Sequence, residues 1–463
     1  VVNQVDISSF PIGKATASRP WHHLPPWPKG KKPRRRTELW LLGASSALTV
    51  VLYILAGLGA KSHIPDHLGV FLAVIIAISL GAHIANRWLL PDASPVLLPL
   101  VALLNGIGYA VIVRWTPNSS KSQATWAVLG VLCYVGTILL VRHSRDLERY
   151  RYLMLVAAIF LLLAPLIPHI GVNILGARLF VHVGHFQFQP VELAKLLLCL
   201  FFASYLAEQK ELMAIPTVKL GNRLVVDPRP LIPLVAVWIL AMAIIGVEND
   251  IGFAMLIFTM FIVLLWVATG RKTYLLIGLG AFAGGAVLVS HLFNHVSVRV
   301  NDWLHVAPTS QLGQGIFALA HGGIFGSGLG TDIFAGTIPY LTSDMIFAAI
   351  ADELGLIGAA AVVMAFVLLI AEAFRIARTG RSDFSKLAAT GLTTILGFQA
   401  FFIMAGVVRI LPLTGITLPF VAYGGSSLVV NYMLIAVLMR ISAEGKEHQS
   451  RNLEALINPQ NWI

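Results

Sequence analysis

The chain has 463 residues, 57% of them hydrophobic and only 12% charged, with a mean hydropathy of +0.80. That balance excludes an ordinary soluble globule. Its two cysteines, Cys133 and Cys199, both inside apolar runs, exclude a disulfide framework or a cysteine metal cluster and read as small buried hydrophobes.

In chain order, residues 1–38 read as a flexible cytoplasmic tail, rich in proline and basic residues, whose basic end meets anionic headgroups. No cleavable signal peptide is legible. About twelve apolar runs of transmembrane length then follow, near 39–59, 69–88, 96–114, 124–141, 152–168, 190–208, 230–246, 252–269, 273–291, 345–371, 386–408 and 426–441. The fold class is therefore an all-α polytopic membrane bundle, since lipid leaves backbone groups no partners outside their own helix. Residues 39–94 hold the first two helices, 95–442 the remaining membrane domain, and 443–463 a short cytoplasmic tail. Segment 209–229 reads as a small hairpin or a surface-lying stretch.

The formal net charge of +11 raises nucleic acid as a partner, but the placement of the basic residues argues for a membrane instead. Lys31 and Arg35 precede the first helix; Arg142 and Arg145 follow the fourth, Lys210 the sixth, Arg271 the eighth, Arg375 and Arg378 the tenth, and Arg440 the twelfth. These are alternate loops, so they are expected in the cytoplasm together with both termini. The weak point is the loop after the second helix, with Arg87 alone. On the opposite, extracytoplasmic side, three segments stand out: 169–189, the turn 248–250, and the long stretch 292–344, which reads as a large functional loop.

That long loop contains the glycine-crowded run QLGQGIFALAHGGIFGSGLG and ends at Asp344. No βαβ context surrounds the glycines, so they read as turns or tight helix contacts, not a nucleotide cradle. Asp344 has two readings. With Ser343 or Thr342 it caps the next helix, or it is a general base whose carboxylate the helix N-terminus makes more acidic. Ala348, Ala351, Gly355, Gly358 and Ala359 form a small-residue stripe below it, either a groove for a lipid chain or a close helix contact.

Glu192 and Lys195 share one helix face and read as a structural ion pair or a functional one. Glu248 and Asp250 flank Asn249 in an outward turn. The turn either caps the next helix or helps hold a divalent cation on a phosphate ligand. Arg178, Arg299 and Arg409 are outward cations that suit a diphosphate or a headgroup.

Five segments resemble the SEDS family, which includes FtsW and RodA proteins: GARLFVHVGHFQFQPVELAKL, ENDIGFAML, GGIFGSGLG, IPYLTSDMIFAAIADELGLIG and LPLTGITLPFVAYGGSSLVVNY. Their order and spacing match over about residues 95–442, so the first two helices are additions to a ten-helix core. The resemblance is to elongation-type proteins of actinobacteria. It implies a peptidoglycan glycosyltransferase that polymerises glycan strands from lipid II and works with a class B penicillin-binding transpeptidase. It places the catalytic aspartate on Asp344 and the core ion pair on Glu192 and Lys195. Ser343, Met345, Val191 and Asn249 depart from the family pattern. Asp344 is then the base on the acceptor hydroxyl. Arg178, Arg409, Ser343 and Gln189 are candidates for diphosphate or substrate binding. Magnesium or manganese is the candidate cofactor, and no organic cofactor is expected. A lipid-precursor flippase and a recruiting scaffold are the competing readings.

Overall fold

The computed structural model describes residues 35–61, 68–116, 119–168, 170–174, 177–183, 186–214, 216–220, 223–226, 229–292, 294–330 and 335–457. Most of the expected N-terminal tail, residues 1–34, therefore lies outside the described residues. So does His185, within the outward segment 169–189.

The helices are α1 (Arg36–Lys61), α2 (Leu68–Leu89), α3 (Leu97–Trp115), α4 (Ser120–Leu140), α5 (Ser144–Arg149), α6 (Arg151–Leu163), α7 (Pro190–Ala214), α8 (Leu231–Glu248), α9 (Ile251–Thr269), α10 (Lys272–Leu292), α11 (Asn294–Leu304), α12 (Gln311–Gly322), α13 (Ile346–Thr379), α14 (Asp383–Val407) and α15 (Gly425–Ile457). Among the described residues, 10 helices are long and apolar enough to cross a membrane. Shorter apolar helices over Arg151–Leu166 and Lys272–Val287 occupy the two remaining expected positions. Leu198 and Phe202 of α7, Leu392 of α14, and Leu434 and Ile435 of α15 are fully buried, so these helices form the centre of the bundle. Ile84 of α2, Ile239 of α8 and Leu276 of α10 are exposed, as lipid-facing side chains are.

Between α6 and α7 a three-stranded antiparallel sheet forms from β1 (Gly171–Ile174), β2 (Ala177–Val183) and β3 (Phe186–Phe188). After α7, β4 (Pro216–Leu220) and β5 (Arg223–Val226) pair as the expected hairpin. Two boundaries move. α1 starts at Arg36, inside the stretch read as tail, and α15 continues through most of the expected C-terminal tail. The polar run after Ser442 keeps good helix formers, Ala443, Glu444, Lys446 and Glu447, so the helix outlasts its apolar part.

The stretch 292–344 is not a structureless loop. It holds α11, α12 and a short 3₁₀ turn over Ala335–Thr337. Ser310 caps α12 by accepting a hydrogen bond from the Gly313 amide at 3.1 Å. The glycines of α12 are there for close approach. A Cβ on Gly313 would stand 2.2 Å from the Ala307 carbonyl oxygen, one on Gly315 2.1 Å from the Met345 methyl, and one on Gly322 2.0 Å from the Ala351 carbonyl oxygen. The small-residue stripe is therefore filled by α12 over Ala348 and Ala351, and the contact reading replaces the lipid groove there.

α13 is also not one continuous rod. Gly355 has φ 68° and ψ −169°, which breaks it. Segment 323–328 repairs the break. The Ser327 and Gly328 amides donate to the carbonyls of Asp352 and Glu353 at 2.9 and 3.1 Å, and the Leu356 amide donates to Gly323 at 2.9 Å. Backbone freed inside a membrane helix needs such replacement partners.

The ends of the bundle differ in charge. α13 ends with Arg375 and Arg378, and Arg440 lies towards the end of the apolar part of α15. The connection after α2 joins this basic end: the Ser94 amide donates to Ser442 Oγ at 3.0 Å and the Ser94 hydroxyl to Glu372 at 2.6 Å. Asp344 lies at the opposite end of α13.

Candidate functional site at the N-terminal end of α13

Asp344 sits in a tight turn just before α13. Tyr340, at φ 54°, offers one carbonyl to the amides of Ser343, Asp344 and Met345 at 3.2, 3.0 and 3.3 Å. The helix cap is Met345, with no side-chain cap bond, so neither Ser343 nor Thr342 caps α13. Ser343 Oγ instead donates to the Tyr340 carbonyl at 3.2 Å. The Thr342 carbonyl accepts from the Tyr423 amide at 2.8 Å, which ties this turn to segment 411–424 before α15. Asp344 and Ser343 are both partly exposed. Burial raises the Asp344 carboxyl above its ordinary value, opposed by the Arg299 guanidinium and the Ser343 hydroxyl. The expectation of a more acidic carboxylate is thus corrected: the neighbouring apolar surroundings outweigh the cation and hydroxyl beside it.

Arg299, on α11, is a cation whose charge favours the ionised form of this carboxylate. It is exposed, and its Nη1 donates to the Thr414 carbonyl at 2.9 Å. It lies close over Gly415, where a Cβ would stand 3.3 Å from Nη2. The same guanidinium acts on Asp250. Arg409 serves it indirectly. Its Nε and Nη2 donate to the Trp303 and Leu304 carbonyls at 3.0 and 3.1 Å, the carbonyls a helix C-terminus leaves orphaned. Arg409 itself has φ 62°. Arg178 is exposed on β2, its backbone opposite Asn173. Gln189 is part-buried ahead of α7, where its carbonyl accepts from the Glu192 amide at 3.2 Å. Among the described residues, no hydrogen bond or ion pair joins Arg178, Arg409 or Gln189 to Asp344.

The turn between α8 and α9 bears out its capping reading. Asn249 takes φ 65° at the C-cap of α8, a backbone that a proline, fixed near −65°, cannot adopt. Asp250 caps α9, its Oδ1 accepting from the Phe253 amide at 3.1 Å. Its Oδ2 and both carboxylate oxygens of Glu248 are buried without a hydrogen-bond partner among the described residues. Burial pushes Asp250 up to about 6; the Phe253 amide and Arg299 lower it, and Glu192 raises it further. Among the described residues no group of three or more His, Cys, Asp or Glu side chains is arranged to hold a metal ion.

Glu192 and Lys195 pair at 2.5 Å, both buried in α7. Lys195 Nζ also donates to Gln399 Oε1 on α14 at 2.7 Å and lies 5.5 Å from the centre of the Phe253 ring. Gln399 Nε2 continues the chain, donating to the Thr417 carbonyl at 2.9 Å, and the Thr417 hydroxyl reaches Ser427 at 2.9 Å. Segment 411–424 therefore joins the ion pair through Thr417, Arg299 through Thr414 and the Asp344 turn through Tyr423. Gln399 is a lone amide within an apolar span, the one sign in the sequence of its polar partner. Arg299 looks in sequence like the other outward cations, Arg178 and Arg409.

The chain matches the family model described as cell cycle protein of FtsW, RodA and SpoVE over residues 97–447. It is 35% identical over 425 residues to the peptidoglycan glycosyltransferase RodA of Mycobacterium tuberculosis, covering 88% of this chain and 90% of the relative. It is 30% identical over 369 residues to the stage V sporulation protein E of Bacillus subtilis, covering 76% of this chain and 97% of that one. A chain from a peptidoglycan synthase complex, described as coordinating polymerization and crosslinking, superposes with a TM-score of 0.63 at 25% identity, over 76% of this chain and 98% of its own. The rod shape determining protein RodA of Thermus thermophilus shares the fold, with a TM-score of 0.55 at 23% identity over 76% and 96% of the two chains. Family match and shared architecture agree with the motifs, and the chain belongs to the SEDS family of FtsW, RodA and SpoVE cell cycle proteins.

Proposed function

We propose that this chain is a peptidoglycan glycosyltransferase that polymerises glycan strands from lipid II at the outer face of the cytoplasmic membrane, in cell elongation. Support for the activity comes from the family relatives. The observation that carries the chemistry is the single carboxylate, Asp344, held partly open beside Arg299 at the end of α13 remote from its basic residues. The raised carboxyl suits a base better than an acidic one would.

Asp344 takes the proton from the acceptor sugar's 4-hydroxyl as that oxygen bonds to the donor's anomeric carbon. The bond from that carbon to the diphosphate oxygen breaks on the opposite face, so the configuration inverts and polyprenyl diphosphate leaves. Arg299 faces the charge on the departing diphosphate, a role that Arg409 supports by holding the end of α11. Ser343 orients Asp344, and Glu192, Lys195 and Gln399 hold segment 411–424 beneath it. The unpartnered oxygens of Glu248 and Asp250 fit magnesium or manganese in the mode where one or two carboxylates share the ion with substrate phosphate and water. Such an ion, when bound, supplies charge neutralisation to the diphosphate.

The positive-inside pattern supports an outward site with both termini in the cytoplasm. A class B penicillin-binding transpeptidase is the partner, in line with the synthase complex that shares this fold. In proteoliposomes supplied with lipid II, Asp344→Asn is expected to lose about 10²–10⁴-fold of polymerisation while inserting normally. A variant that still builds glycan at the wild-type rate refutes the base. Chelator is expected to suppress the same gel-resolved products and magnesium or manganese to restore them.

A further inference from the structure

α1, which with α2 lies outside the family match, packs on segment 323–330. Near the outer end of α1, Gly59 meets segment 323–330 so closely that a Cβ there would stand 1.9 Å from the Leu329 carbonyl oxygen. The fit is mutual: Gly330, at φ 80°, would place a Cβ 2.4 Å from the Ala56 carbonyl oxygen. The same segment is the one that repairs the break of α13 through Ser327 and Gly328. A Cβ on Gly326 would stand 2.2 Å from the Glu353 carbonyl oxygen, so no slack exists on that side either. The segment is thus held between α1 and the broken helix whose first half follows Asp344.

α1 is itself anchored along its length. At the basic end the Glu38 carboxylate is fully buried, paired with Arg35 and with His83 of α2 at 2.8 Å. Asn86, which also contacts Glu38, accepts the Tyr134 hydroxyl of α4 at 2.6 Å. Midway, Gly106 of α3 makes room for Thr49, where a Cβ would approach its Oγ1 to 1.9 Å. Further out, Tyr53 stacks on Phe71 of α2 at 4.0 Å between ring centres.

We propose that α1 is a positioning strut. Pinned by Glu38 at one end, it bears on Leu329 and Gly330 at the other. It presses segment 323–330 onto the break of α13 and so sets the Asp344 carboxylate. Gly59 is a positioning residue, not a catalytic one, and its assignment rests on the base proposed for Asp344.

The test compares full-length Gly59→Leu with Gly43→Leu, a position on α1 whose Cβ would meet nothing within 4 Å. Polymerisation of lipid II is followed in proteoliposomes. Gly43→Leu is expected within about twofold of wild type, as for a substitution away from any contact. Gly59→Leu is expected to lower kcat by about tenfold or more with KM for lipid II unchanged, because a displaced base costs rate and not binding. Wild-type kcat in Gly59→Leu, or a raised KM with kcat intact, overturns the strut. If Gly59→Leu fails to insert, the milder Gly59→Ala decides. In a Cys133→Ala, Cys199→Ala background it is expected to speed labelling of Leu329→Cys by a membrane-impermeant maleimide, and unchanged labelling overturns the proposal. Asp344→Asn separates the two ideas. Activity in that variant refutes the base, whereas an inert Asp344→Asn beside a fully active Gly59→Leu refutes the strut alone.

Discussion

At the scale of single residues, Asp344 is set by opposing neighbours. Burial raises its carboxyl, and Arg299 and the Ser343 hydroxyl pull it back. The base works only when ionised, so polymerisation is expected to fall as pH drops through that raised value. The acid limb of the kcat profile then lies above the ordinary aspartate value of about 4. Arg299→Gln removes the charge that favours the ionised form, so the limb moves to higher pH, while Arg299→Lys leaves it near its original place. A limb that stays put in Arg299→Gln refutes the electrostatic link. Asp344 was legible because an isolated acid after a long outward stretch is conspicuous among apolar helices. Arg299 was not singled out, because three outward arginines look alike in one dimension. Only the carbonyls they reach separate Arg299, on Thr414, from Arg409, on Trp303 and Leu304.

At the scale of elements, α13 and α7 each carry a feature that stability measurements can test. Gly355 combines a left-handed φ with backbone atoms 2.3 and 2.4 Å from where a Cβ would sit, on Gly326 and Ile324. Gly355→Ala is expected to destabilise the protein by at least about 1–3 kcal/mol, the usual cost of a strained backbone conformation. The check is the thermal midpoint in detergent, against Ala360→Gly on the exposed face of the same helix. In α7, Lys195→Met leaves Glu192 buried without its partner. That is expected to cost about 3–5 kcal/mol, most of it recovered in the double variant Glu192→Gln, Lys195→Met. A double variant as unstable as Lys195→Met argues that Lys195 acts through Gln399 alone. The pair was readable from its spacing on one helix face. The break at Gly355 was not, because a glycine inside an apolar run looks the same whether it bends the helix or packs it. What decides is segment 323–328, which supplies the replacement hydrogen bonds.

At the scale of the whole molecule, the basic ends of α13 and α15 and the connection after α2 gather at one end, with Asp344 at the other. This strengthens the point where the charge pattern was thinnest, the loop with Arg87 alone. In a cysteine-free background, Tyr340→Cys is expected to react with impermeant maleimide in intact cells, and Arg375→Cys only after permeabilisation. The reverse pattern places the site inside and refutes the proposed use of lipid II at the outer face.

The sequence by itself determined the class of molecule, the positions of the apolar helices and the candidate acid, because the cost of exposing polar backbone to lipid writes long apolar runs directly into the chain. It also carried the family resemblance that names the chemistry. Tertiary structure decided that the glycine run is helix α12 seated on the small-residue stripe, since a Cβ collision depends on the neighbour and not on the local sequence. It decided as well that Arg299 reaches the Thr414 carbonyl, that Asn249 serves a left-handed cap, and that Gly59 of α1 meets Leu329. Each of these is a contact between residues far apart in the chain, and periodicity reports only on residues that are near.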